Sequence, residues 1–66
     1  MITKEQKIKE IDELIEEKKF YTAAYYGNEW NVLTNETKIK IVKGLIENGM
    51  KARAVLYAKK WGIWTE

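Results

Sequence analysis

Thr34-Asn35-Glu36-Thr37-Lys38-Ile39-Lys40-Ile41-Val42-Lys43-Gly44-Leu45-Ile46-Glu47 restates, 31 positions later, Thr3-Lys4-Glu5-Gln6-Lys7-Ile8-Lys9-Glu10-Ile11-Asp12-Glu13-Leu14-Ile15-Glu16. The register continues without a gap: Ala23 falls on Ala54, Tyr26 on Tyr57, Trp30 on Trp61 and Thr34 on Thr65. From Thr3 onward, 12 of 33 aligned pairs are identical. Chance would give roughly two or three, and self-similarity at a fixed period is the signature of a repeated supersecondary unit. The units run over residues 3–33 and 34–64, within a single domain of 66 residues.

The matched positions predict helices. Thr3 and Thr34 each precede an apolar-periodic stretch, as N-caps do, and Gln6 stands at the capping-box spacing from Thr3. Ile8, Ile11, Leu14 and Ile15, and then Ile39, Val42, Leu45 and Ile46, recur at helical spacing. In each second helix, Ala23, Tyr26 and Trp30, or Ala54, Tyr57 and Trp61, form one stripe. Asn31 and Gly62 are residue types suited to a left-handed C-cap, as is Gly49 after Asn48. Lys18 aligns with Gly49 and is not a strong breaker, which leaves open a single continuous helix across the first unit. The expected fold is all-α, four helices over about 4–17, 20–30, 35–47 and 50–61, arranged as two tandem hairpins in a compact bundle. The expected core is Ile11, Leu14, Ile15, Ala23, Tyr26, Trp30, Val42, Leu45, Ile46, Ala54 and Trp61.

The turn Leu45-Ile46-Glu47-Asn48-Gly49-Met50-Lys51-Ala52-Arg53-Ala54 resembles the hairpin of tetratricopeptide-like and pentatricopeptide-like repeats. There a helix ends on glycine, and an alanine five residues later packs in the second helix. Gly49 and Ala54 match; in the first unit Ala23 matches but Lys18 replaces the glycine, and the terminal proline of these families is missing. The resemblance implies helical-hairpin repeats that bind peptides, proteins or RNA.

Composition narrows the chemistry. Histidine, cysteine, serine and proline are absent, so the common nucleophile and general-base arrangements cannot be built, nor can disulfides. No catalytic, cofactor-binding or metal-binding residue is assigned, and the expectation is a protein that is not an enzyme. Asp12, Glu13, Glu16 and Glu17 are read as a solvated acidic helix face rather than a cation site. No apolar run is long enough for a membrane span, and the N-terminus lacks a signal-peptide pattern, so a cytoplasmic protein without membrane association is expected. Residues 1–33 carry five lysines against seven acidic residues, whereas residues 34–66 carry seven basic against three acidic. An acidic half followed by a basic half implies attraction, within the chain or between chains.

Two functional classes follow. The preferred one is a small non-enzymatic protein–protein interaction module. Two repeat units leave apolar ends to be covered, and Phe20, Tyr21, Tyr25 and Trp64 add aromatic surface beyond the repeated stripe. A protein partner is expected, with a homodimer as one form of it. Small stand-alone helical chains that begin at their own methionine are commonly inhibitors or regulators carried by phages or mobile elements, and that class is the expectation here. The alternative is a nucleic-acid-binding protein. It would use Lys38, Lys40, Lys43, Lys51, Arg53, Lys59 and Lys60 on phosphates, with Tyr57, Trp61 and Trp64 as stacking platforms.

Overall fold

The computed structural model describes residues 2–63, and within them the chain forms four helices: α1 (Lys4–Glu16), α2 (Phe20–Trp30), α3 (Asn35–Glu47) and α4 (Lys51–Lys60). Helices α1 and α3 begin as the threonines predict. Thr3 Oγ1 accepts from Gln6 N while Gln6 Oε1 accepts from Thr3 N, a complete capping box. Thr34 Oγ1 accepts from Thr37 N, and the second half of the box is replaced by a Thr34–Thr37 hydroxyl contact of 3.0 Å. Each cap satisfies a backbone donor that has no partner inside the helix.

The four helix ends share one backbone solution. The amides of Lys19, Val32, Met50 and Ile63 bond back to the carbonyls of Leu14, Gly27, Leu45 and Ala58. Each closure follows a residue of positive φ: Lys18 (63°), Asn31 (54°), Gly49 (78°) and Gly62 (72°). This is the Schellman arrangement, which uses a left-handed residue to satisfy terminal carbonyls. The continuous first-unit helix left open by the sequence does not form. Lys18 takes the left-handed conformation that Gly49 takes in the second hairpin, and α1 stops at the same place as α3. The Asn48 amide also donates to the Lys18 carbonyl at 3.2 Å, tying the two turns together.

Each helix packs on its neighbour in sequence: α1 on α2, α2 on α3, α3 on α4. The result is an elongated body of 38 × 23 × 16 Å. The core comprises Ile11, Ala23, Ala24, Ile41, Val42, Leu45, Ala54, Tyr57 and Ala58, and Leu14, Ile15, Phe20, Trp30 and Trp61 pack partly buried around it. Two expected core residues are exposed instead. Tyr26 is 42% accessible and Ile46 44%. Ile46 lies one step round α3 from Leu45, past the edge of the face that carries Ile41 and Gly44. Tyr26 belongs to the end hairpin, which lacks the neighbour that covers its counterpart Tyr57.

Candidate functional site

Side-chain geometry recurs at the 31-residue offset. Tyr26 and Trp30 lie 5.3 Å apart between ring centroids at 31°, and Tyr57 and Trp61 lie 5.2 Å apart at 35°. The Lys7 ammonium stands 5.9 Å from the centre of the Trp30 ring, and the Lys38 ammonium 5.8 Å from that of Trp61. Such cation–π contacts contribute about 0.5–1 kcal/mol at exposed positions.

What differs is the cover over each stripe. Between the hairpins, the Phe20 ring lies against the backbone of Gly44, where any Cβ would collide with it. Arg53 stacks on Tyr21 at 4.3 Å, and the Trp61 indole N–H donates to Asn28 Oδ1 at 3.3 Å. Under this cover Tyr57 is only 8% accessible, and Ile41, Leu45 and Gly44 are buried. Burial pushes the Tyr57 phenol above its usual pKa. The Tyr21 phenol pushes in the same direction, Arg53 pulls the other way, and Tyr25 adds a smaller upward push.

On the first hairpin the same surface is open. It forms a cleft of about 660 Å³ between α1 and α2, floored by Leu14, Tyr26 and Trp30 and edged by Ile2, Glu10 and Glu13. Gln6 and Lys9 complete its rim. Glu10 and Glu13 stand where the second hairpin has Ile41 and Gly44, so this groove is acidic where the internal interface is apolar. None of these cleft residues was assigned to a binding surface from the sequence: Leu14, Tyr26 and Trp30 were expected in the core and Glu13 on a solvated acidic face. The available signal was in the departures from the repeat, where an acidic residue in one unit faces an apolar or small one in the other.

The residues that were singled out are distributed differently. Phe20 is taken up by the internal interface, and Tyr21 lies beneath Arg53. Tyr25 is half exposed and makes an edge contact with Tyr26 at 5.4 Å. Trp64 lies outside the described residues. Among the basic residues, Lys38 and Arg53 are placed over aromatic rings, while Lys40, Lys43, Lys51, Lys59 and Lys60 are exposed. Tyr57 is buried and Trp61 is half-buried, with one face toward Lys38 and its N–H donated to Asn28. Asp12, Glu13, Glu16 and Glu17 are exposed.

Helix α1 carries five acidic and three basic residues, whereas α4 carries four basic and no acidic ones. The two are not among the packed helix pairs. Among the described residues the ion pair within 4 Å is Lys19–Glu17, at 3.3 Å on the surface. The attraction expected between the acidic and basic halves therefore makes no ion pair within the described chain. Among the described residues no helix is long and apolar enough to cross a membrane. Comparison with protein-family models, curated proteins and solved structures gives no match to this chain.

Proposed function

We propose that this protein is a non-enzymatic protein–protein interaction module and that its binding surface is the α1–α2 groove of the first hairpin. One observation carries the reading. The groove is the counterpart of a surface that, in the second hairpin, is already occupied by a helix. Tyr26 at 42% and Tyr57 at 8% accessibility measure the difference between the open surface and the covered one. Aromatic floors edged by charge are typical of grooves that receive an amphipathic helix: the rings give area and the rim gives orientation. The acidic rim selects a partner helix with basic residues.

The nucleic-acid alternative has weaker support. Of its stacking platforms, Tyr57 and Trp61 are occupied by internal contacts and Trp64 lies outside the described residues, while the aromatic groove of the first hairpin is edged by acidic residues. Photo-cross-linking tests the reading. A benzoylphenylalanine at position 26 should give discrete protein adducts in cell extract that Glu13→Lys removes. The same probe at Lys43, on the exposed side of α3, should give none. Equal adduct yields at the two positions would sink the groove as the binding surface. Retention of nonspecific nucleic acid that weakens steeply with salt would favour the phosphate-binding reading instead.

A further inference from the structure

The internal interface specifies how a helix sits on a hairpin of this chain. Three of its contacts cross from α2 and its flanks to the second hairpin: Phe20 on Gly44, Asn28 with Trp61, and Tyr21 with Arg53. Moving each α2 residue forward by 31 positions gives Lys51, Lys59 and Ala52 on α4. Moving each partner back by 31 gives Glu13, Trp30 and Thr22 on the first hairpin. One of the new pairs is matched in charge and one in size. A ring on a glycine becomes Lys51 on Glu13, an ammonium on a carboxylate. An amide accepting from an indole becomes Lys59 beside the Trp30 N–H, which loses its acceptor, while the Trp30 ring faces Lys7 of its own chain. A tyrosine under an arginine becomes Ala52 against Thr22, two small residues. Leu56, the counterpart of Tyr25, is 61% accessible on α4, and the exposed Tyr26 is the counterpart of Tyr57.

In two of the pairs, Phe20–Gly44 and Tyr21–Arg53, both members changed together and stayed compatible, whereas Trp61 and Trp30 are identical. Within one chain Lys51 and Glu13 lie on α4 and α1, which are not among the packed helix pairs. The fourth internal contact, Asn48 to the Lys18 carbonyl, becomes Glu17 opposite the Gly49 carbonyl and loses its donor. That position is exposed at the rim, and Glu17 is already engaged by Lys19.

We infer that the partner of the groove is a second copy of this chain, stacked head to tail. The basic α4 of one molecule lies in the acidic α1–α2 groove of the next, by the displacement that relates α2 to the second hairpin. The inference rests on the groove being the binding surface and supplies its occupant. The contact is heterologous, so each added copy leaves one free groove and one free α4, and assembly is open-ended rather than closed at a dimer. Because it sets the basic α4 and Lys51 against Glu10 and Glu13, the contact is sensitive to ionic strength.

Sedimentation velocity on the intact protein and on Glu13→Lys and Lys51→Glu tests this. Both substituted residues are exposed, and retained helicity by circular dichroism confirms that the variants fold. The average mass of the wild type should rise with concentration at low salt without levelling at a dimer, and about 0.5 M sodium chloride should reverse it. Each single variant places like charges in the contact and should associate at least about tenfold more weakly. An equimolar mixture of the two variants should recover association, because every contact in an alternating stack again pairs opposite charges. A plateau at dimer, or a mixture no stronger than its components, would overturn the inference. So would a wild type monomeric at all concentrations, which would make Glu10 and Glu13 simple solvating charges on an end unit. In that last case, adducts from position 26 to a different protein would leave the groove standing as a binding surface. Monomers without adducts would remove both.

Discussion

Lys18 holds a φ of +63°, a conformation in which its Cβ crowds the following carbonyl, at a cost of about 1–2 kcal/mol for a residue with a side chain. Gly49, with φ +78° and nothing within 4 Å of where a Cβ would stand, meets the same need without that crowding. The Lys18 carbonyl, not its exposed side chain, receives the Asn48 amide. Lys18→Gly should therefore stabilise the protein by about 1 kcal/mol, after subtracting the larger entropy that glycine loses on folding. That corresponds to a rise of roughly 4–8 °C in melting temperature for a domain of this size. Calorimetry checks it, and an unchanged or lower melting temperature would show that the Lys18 side chain contributes more than its strained backbone costs. The mirror substitution, Gly49→Ala, should lower the melting temperature.

Gly44 sits within α3, where glycine is normally unfavourable by about 1 kcal/mol relative to alanine. Its place is set by α2, whose Phe20 ring occupies the space a Cβ would need. Gly44→Ala should lower stability despite the gain in helix propensity, because overpacking costs about 1–3 kcal/mol. Adding Phe20→Leu should recover part of the loss, and urea unfolding of the single and double variants measures the coupling. If Gly44→Ala stabilises, the close approach of α2 to α3 is not a constraint on stability. The same pair of helices explains what the sequence made legible and what it did not. Helix limits could be read, because Thr3 and Thr34 cap, and Asn31, Gly49 and Gly62 close. Burial could be read only for the face turned toward a helix's own hairpin partner. Helix α3 has neighbours on two sides, so Ile41 and Gly44 are buried although the apolar period of Val42 and Leu45 does not select them. Helix α1 has one packed neighbour, so the same positions carry Glu10 and Glu13. The surplus aromatics Phe20 and Tyr21 were legible as interface residues, but the interface they make lies inside the chain.

At the scale of the whole molecule, charge is sorted by position: the acidic helix is first in the packing order and the basic helix last. Lys59 and Lys60 lie in the last turn of α4, where cations also favour the negative end of the helix dipole. The body is therefore polar end to end, with an aromatic groove at the acidic end.

The order of packing has a further consequence, in time rather than in space. Since α1 meets α2, α2 meets α3 and α3 meets α4, the packed helix pairs are each joined by a short turn. Folding then requires little loop closure, and helical proteins rich in local contacts fold in microseconds to milliseconds. The sequence has no proline, so no X–Pro isomerisation can add a phase of tens of seconds. Temperature-jump relaxation of tryptophan fluorescence at low protein concentration should be complete within milliseconds, and stopped-flow refolding should leave no slower phase. A phase lasting seconds that accelerates with protein concentration would belong to assembly, while one independent of concentration would contradict a neighbour-by-neighbour fold. A chain that reaches its structure this quickly spends little time with Tyr26 and Trp30 exposed on an unfolded backbone, so the aromatic groove first meets other molecules as a shaped surface.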